Sequence, residues 1–61
     1  MNVKLRAARE ASGKTQAQVA KEVGITAVSY QRIEYGSQRP SLNTAILIAQ
    51  VLNSTVEELF K

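Results

Sequence analysis

The sequence contains no cysteine and no histidine among its 61 residues. Without them the chain has no disulfide or thiolate metal ligand and lacks the usual zinc ligand and general base, so we expect no metal or other cofactor. A domain this short then depends on tight helix packing, alone or with dimerisation. Hydrophobic residues make up 44% of the chain, which is enough for a core.

Long apolar runs are also absent. The longest run, residues 45–49, is far shorter than the roughly 20 residues that cross a bilayer. The amino-terminal charges are followed by no apolar signal core. We therefore expect a cytoplasmic chain with no membrane partner.

Acidic residues are few and scattered, with five carboxylates in the whole chain. No pair of them has the spacing of a general acid and base, and the hydroxyl groups have no histidine to activate them. The adjacent Glu57 and Glu58 point about 100° apart on a helix and suit its first turn. The sequence therefore argues against an enzyme.

The net charge of +3 is unevenly distributed. Seven of the eight basic residues precede Pro40, and only three carboxylates oppose them there: Glu10, Glu22 and Glu34. A basic surface of this kind suits a polyanionic partner, although an ordinary solvated surface has a similar composition.

Capping residues and stop signals divide residues 1–61 into five short helices of one domain. Five polar residues have the character of helix N-caps, two of them with a capping-box partner three positions later (Gln18 and Glu58): Asn2, Thr15, Thr26, Ser41 and Thr55. Four residues suit left-handed helix ends: Gly13, Gly24, Gly36 and Asn53. No segment alternates with period two, so we predict an all-α, compact five-helix bundle.

The fourth helix is almost entirely apolar. The i, i+3, i+4, i+7 pattern predicts an inward stripe of Leu42, Ala45, Ile46, Ala49 and Leu52. Leu47, Ile48 and Val51 remain as a second apolar face, and Leu47 and Val51 are our candidates for a dimer interface. The alternative is that the last helix covers this face.

The second and third helices are separated by only three residues, Gly24, Ile25 and Thr26. So short a turn makes the helices cross steeply, as in a helix-turn-helix unit. Small Ala20 permits a close approach, and Gly24 accepts a positive φ at the turn. Apolar residues occupy the positions that face the core: Val19, Val23, Ile25, Tyr30 and Ile33. Residues 16–35 therefore have the pattern of a helix-turn-helix.

Over nearly its whole length the sequence resembles the helix-turn-helix family of phage repressors and Cro, the XRE family. The matching stretches are LRAAR at 5–9, TQAQVA at 15–20, IEYG at 33–36, RPSL at 39–42 and VLN at 51–53. Tyr30, Tyr35 and Ser54 depart from the residues usual in the family. The resemblance implies the phage-repressor type of bundle, with the second and third helices as the helix-turn-helix.

The function that the resemblance implies is sequence-specific binding of double-stranded DNA by a transcriptional regulator, and we expect it to act as a repressor. Such a regulator binds a palindromic operator as a homodimer, with helix 3 (residues 26–35) in the major groove. The chain ends soon after the fifth helix, so we expect no small-molecule effector domain. The alternative is an antitoxin or coactivator-type subunit that uses the same fold for protein–protein interaction.

Helical spacing assigns the residues that would read DNA. With Tyr30 and Ile33 inward, the predicted outward residues are Ala27, Val28, Gln31, Arg32 and Tyr35. The planar guanidinium of Arg32 suits guanine O6 and N7, with a phosphate contact as the alternative, and Gln31 is the next candidate. Ala27 and Val28 suit thymine methyl groups or simply provide clearance.

Phosphate contacts are expected at the edges of the third helix. Gln16 begins the second helix, where free N–H groups favour an anion, and the resemblance implies the same role. Further candidates are Thr26, Ser29, Arg39 and Ser41. The resemblance also implies an ion pair between Arg9 and Glu34 that braces the third helix against the first.

Overall fold

Each helix begins after a side chain that accepts a hydrogen bond from a backbone N–H of its first turn. The computed structural model describes all residues from Met1 to Lys61. Its five α-helices are α1 (Val3–Ala11), α2 (Gln16–Val23), α3 (Ala27–Tyr35), α4 (Leu42–Val51) and α5 (Val56–Phe60). The predicted N-caps are all present: Asn2, Thr15, Thr26, Ser41 and Thr55. The prediction of an all-α, five-helix fold is confirmed.

Of the two predicted capping boxes, only the first is complete. Thr15 accepts from the backbone N–H of Gln18 at 3.1 Å, and the Gln18 side chain accepts from that of Thr15 at 2.8 Å. Thr55 accepts from the N–H of Glu58 at 3.1 Å, but the Glu58 carboxylate accepts from the Ser54 hydroxyl instead. The second box is therefore only half formed, and its carboxylate binds the Ser54 hydroxyl at 3.0 Å.

The turn between α2 and α3 consists of the three predicted residues. Gly24 has φ +89°, a conformation that strains any residue with a Cβ atom. The N–H groups of Gly24 and Ile25 both donate to the carbonyl oxygen of Ala20, at 2.9 and 3.0 Å. These two hydrogen bonds hold the connecting residues against the carboxyl end of α2. Helix α3 packs mainly against α2.

The hydrophobic core draws on all five helices. Its cluster of ten buried residues consists of Leu5, Val19, Ala20, Val23, Tyr30, Ile33, Ile48, Ala49, Leu52 and Leu59. Helix α1 packs against α3 and α5, and α4 packs against α2 and α5. None of the helices combines the length and the hydropathy that a membrane span requires.

The predicted inward stripe of α4 is wrong in part. Leu42 and Ile46 are 70% and 39% exposed, whereas Ile48, predicted to lie on the second apolar face, is fully buried. The buried residues are Ala45, Ile48, Ala49 and Leu52, which also follow the i, i+3, i+4, i+7 pattern. In a helix that is apolar on most sides the pattern fits two phases. Packing of α4 between α2 and α5 selects the phase that buries Ile48, and not the predicted phase that would bury Ile46.

Candidate nucleic-acid interface

Helix α3 presents an exposed face made of Val28, Gln31, Arg32 and Tyr35, which we call the α3 face. Val28 and Tyr35 are 54% and 60% exposed, although both are large and partly apolar. Ala27, predicted to point outward, is instead half-buried and packs against the core. It lies one turn before Tyr30, so the two share the inward side of the helix.

The charged side chains before Pro40 that form no ion pair are all basic. The one carboxylate of α3, Glu34, is buried with 2% exposure. The two other carboxylates before Pro40 form ion pairs at the surface, Glu10 with Arg6 at 3.6 Å and Glu22 with Lys14 at 2.8 Å. All acidic groups in this part of the chain are thus paired. Arg32 and Arg39 are exposed and have no carboxylate within ion-pair distance.

Arg9 and Glu34 form the ion pair that the family resemblance implied. Arg9 donates from Nε to Glu34 Oε2 at 2.9 Å and from Nη2 to Oε1 at 3.0 Å, a two-point contact between planar groups. Its third nitrogen, Nη1, donates to the carbonyl oxygen of Lys14 at 3.0 Å. One guanidinium therefore links α1, the loop that precedes α2, and the carboxyl end of α3.

The pair shifts the ionisation of both partners. Burial by itself would raise the pKa of the Glu34 carboxyl, but interactions with Arg9, then with the Tyr30 hydroxyl and then with Gln16 hold that pKa below its ordinary value. The hydrogen bond with Glu34 raises the pKa of Arg9, in spite of burial. Both groups are accordingly charged in the folded protein at neutral pH.

Two polar features of this region were missed by sequence reasoning. Gln16 Nε2 donates to Glu34 Oε1 at 3.3 Å, which connects the start of α2 to the end of α3. The Tyr30 hydroxyl is buried near the same carboxylate without a hydrogen bond of adequate geometry, and burial raises the pKa of Tyr30. The only signal for the second feature was that Tyr30 occupies a position usually aliphatic in the family.

The candidate phosphate ligands lie near the ends of α2, α3 and α4. The hydroxyl of Thr26 accepts from the N–H of Ser29 at 3.1 Å, and that of Ser41 accepts from the N–H of Thr44 at 3.2 Å, so both serve as caps. Ser29 is half-buried, and Arg39 is exposed in the loop before α4. The N–H group of Gln16 has no acceptor within the chain.

The two candidate dimer residues differ in exposure. Leu47 is 43% exposed, but Val51 is half-buried and packs against the core. Exposed Leu42 and Ile46 extend the apolar surface of α4, and the whole helix contains no charged residue. We call the exposed residues Leu42, Ile46 and Leu47 the α4 patch.

Comparison with known proteins gives a family match and named relatives. A family model described as "Helix-turn-helix" matches residues 5–59. The chain is 41% identical over 61 residues to the cryptic phage CTXphi transcriptional repressor RstR of Vibrio cholerae, and the match covers 97% of this chain and 54% of the repressor. The chain thus spans about half the length of that relative.

Two uncharacterized HTH-type transcriptional regulators of Archaeoglobus fulgidus are 38% and 33% identical, each over 60 residues. Both matches cover 98% of this chain, with 86% of the first protein and 84% of the second. No solved structure matches.

The family match and the named relatives support the expectation that the chain is not an enzyme. The match spans the three-residue turn between α2 and α3 and all but the outermost residues of the five-helix bundle. The chain belongs to the helix-turn-helix family, of the XRE type that its sequence resembles.

Proposed function

We propose that this chain is a sequence-specific, double-stranded DNA-binding repressor of transcription that reads the major groove with α3. DNA-binding regulation of transcription is the general role to which the family match and the named relatives point. The observation that carries the proposal is the α3 face, which offers Arg32 and Gln31 to a ligand and has no exposed carboxylate. The major groove of B-DNA accepts one α-helix with donors of this kind.

Base contacts are assigned to the α3 face. Arg32 makes no hydrogen bond with its guanidinium in the free protein, so its two parallel N–H donors are available for guanine O6 and N7. Val28 lies one turn before it and provides an apolar contact for a thymine methyl group. Gln31 supplies a second hydrogen-bonding side chain. Half-buried Ala27 contributes at most its exposed edge.

Phosphate contacts flank this helix in the proposal. Exposed Arg39 and the start of α4 at Ser41 follow α3 in the chain, and Gln16 begins α2, which precedes it. Free N–H groups at a helix start favour an anion. Thr26 and Ser29 add hydroxyl groups at the start of α3. Together these groups would hold the duplex in register without reading its sequence.

A homodimer on a palindromic operator is the second part of the proposal. The α4 patch is apolar, exposed and free of charge, which suits contact with a second copy of the chain. Leu47 is the central candidate, and Val51 contributes its exposed edge. A dimer of this family places its two reading helices one DNA turn apart, so the half-site centres are expected roughly 10 bp apart.

An antitoxin or coactivator-type subunit remains the alternative, because the α4 patch would also serve contact with a different protein. The two functions differ in what the α3 face does. A subunit that only contacts proteins has no need of unpaired Arg32 and Arg39 beside a helix without exposed acid. Direct measurement of DNA binding therefore separates them.

The test begins with selection of bound duplexes from a random pool, followed by retardation of the selected duplex across a salt series. We expect a preferred palindromic sequence and an affinity that falls with salt, with a log–log slope of about −0.9 for each phosphate neutralised. Equal affinity for all duplexes, or no dependence on salt, would contradict the proposal. A reporter gene placed under the selected site then gives the sign of regulation.

A further inference from the structure

The contact between Gln16 and Glu34 joins the two helices of the helix-turn-helix through side chains. Gln16 is the first residue of α2, and its Nε2 lies 3.3 Å from Glu34 Oε1 near the end of α3. Gln16 is half-buried, whereas Glu34 is 2% exposed. A surface glutamine is thus held by a carboxylate that is itself fixed inside the protein.

The chemistry of the contact determines which way the Gln16 amide points. Hydrogen bonds hold the pKa of the Glu34 carboxyl below its ordinary value, so this group is ionised and only accepts hydrogen bonds. The amide must therefore turn its NH₂ end, and not its oxygen, toward Glu34. Since that nitrogen carries two hydrogens, one N–H remains for another acceptor.

A bare carboxylate at this place would repel DNA, but Arg9 removes that effect. Arg9 contacts both Glu34 oxygens, at 2.9 and 3.0 Å, so the pair is neutral as a unit. The cleft beside the pair is open and is lined by Met1, Arg6, Arg9, Gln16, Glu34 and Tyr35. The remaining charged side chain of its lining is Arg6, whose surface ion pair with Glu10 spans 3.6 Å.

We propose that Glu34 is a positioning residue for DNA binding, which orients the Gln16 amide so that its second N–H donates to a phosphate at this cleft. The inference rests on the proposed function. It adds a second role for the ion pair with Arg9, besides support of the fold. Arg9 keeps the Glu34 carboxylate ionised, so that it accepts from Gln16, and neutralises its charge toward DNA. The backbone N–H of Gln16, which has no acceptor in the chain, lies at the same helix start.

The test is a double-mutant cycle between positions 16 and 34, measured on a duplex selected by the wild-type protein. Gln16→Ala removes the phosphate donor, and we expect affinity to fall about three- to tenfold, the range of one net hydrogen bond. Glu34→Gln should cause a similar fall when Gln16 is present and almost none when position 16 is alanine. Because the glutamine side chain is neutral, the fall caused by Gln16→Ala should be equal at low and high salt.

Glu22→Gln is the matched control, since it makes the same change in charge at a surface carboxylate outside the cleft. If charge alone mattered, loss of either carboxylate would raise the affinity for DNA. We expect Glu22→Gln to leave the affinity equal or higher and Glu34→Gln to lower it. Ethylation interference adds a positional readout: one phosphate that matters to the wild type should cease to matter in both Gln16→Ala and Glu34→Gln.

Glu34→Asp keeps the charge beside Arg9 but is one methylene shorter, and it replaces Glu34→Gln if that variant does not fold by circular dichroism. It should show the same dependence on Gln16. Losses that multiply in the double variant, or an unchanged interference pattern, would overturn the positioning role while DNA binding stands. Absence of binding by the wild type to any duplex would instead refute the proposed function.

Discussion

The side-chain amide of Asn2 donates a hydrogen bond of 2.6 Å to the carbonyl oxygen of Leu59, 57 positions along the chain. The oxygen of the same side chain caps α1 by accepting from the N–H of Leu5 at 3.0 Å. The backbone N–H of Asn2 donates to the carbonyl of Glu34 at 2.7 Å. One residue therefore joins the start of α1 to the ends of α3 and α5.

Replacing Asn2 tests this junction. Asn2→Ala removes both the cap and the bond to Leu59, and we expect the free energy of unfolding to fall by about 1–3 kcal/mol. Asn2→Ser keeps a capping oxygen, but its shorter side chain is not expected to reach Leu59 while it caps α1, so it should lose about half as much. Urea unfolding followed by circular dichroism measures both. Full stability of Asn2→Ser would show that the bond to Leu59 contributes nothing, and equal losses for the two variants would show that the cap contributes nothing.

The ion pair of Arg9 with Glu34 gives a prediction in acid. The pKa of Glu34 is lower in the folded chain than its ordinary value of 4.5, so the stabilisation is complete above that value. It is lost as the pH falls through the folded pKa. Thermal unfolding between pH 7 and pH 3 should therefore show a decline in stability that is smaller in Glu34→Gln. At pH 7, Arg9→Ala should cost about 3–5 kcal/mol, since it leaves a buried carboxylate unpaired.

The Tyr30 hydroxyl gives the opposite dependence on pH. Its pKa is raised above the ordinary value of 10.0, so any stability linked to this proton is complete below pH 10 and is lost as the pH rises further. Tyr30→Phe should reduce that alkaline loss. Because the buried hydroxyl has no adequate partner, the same change should leave stability at pH 7 unaltered or raise it by about 1 kcal/mol. A decrease of that size would show that the hydroxyl is bonded after all.

Arg32 is the test of base reading. Arg32→Ala should cost about 1–3 kcal/mol of binding free energy on the best site and relax the preference at one base pair of each half-site. Arg32→Lys keeps the charge but lacks the two parallel donors, so it should also lose the preference. Arg39→Ala should weaken binding to all sequences alike and reduce the salt slope. An even loss across single-base variants for Arg32→Ala would assign Arg32 to phosphate and make Gln31 the next candidate.

The dimer prediction is tested at Leu47, because Val51 also packs against the core and its replacement would confuse folding with association. Leu47→Lys puts a charge into the α4 patch without adding repulsion toward DNA. We expect the free energy of unfolding of this variant to lie within about 0.5 kcal/mol of the wild-type value. Sedimentation with a palindromic duplex should show loss of the second protomer. Ala11→Lys, an exposed position of α1, is the control that should still bind as a dimer.

Local signals predicted most of the fold. A cap depends on residues three positions apart, so the five N-caps could be assigned from the sequence: Asn2, Thr15, Thr26, Ser41 and Thr55. The phase of α4 could not, because two stripes of an apolar helix satisfy the same period, and only its neighbours decide between Ile46 and Ile48.

The α3 face was predicted except at Ala27, and there the spacing had been misapplied. Ala27, Tyr30 and Glu34 lie at i, i+3 and i+7, which is one side of a helix. Helical spacing therefore predicts both the partial burial of Ala27 and the burial of Glu34. The contact of Arg9 with Glu34 spans 25 positions and no spacing rule predicts it; it came from the family resemblance. Gln16 and the Tyr30 hydroxyl complete a network that neither source described.

The unpaired side chains of the α3 face determine where the entropic cost of binding falls. The backbone of α3 is already fixed by its cap, by the core and by Arg9, so a duplex has little main chain to order. The cost lies in the exposed side chains of Gln31 and Arg32, and in that of Arg39 in the loop before α4. Immobilising each of them costs about 0.5–1.5 kcal/mol of conformational entropy. Further stiffening of the bundle should therefore raise its melting temperature and leave its affinity for DNA almost unchanged.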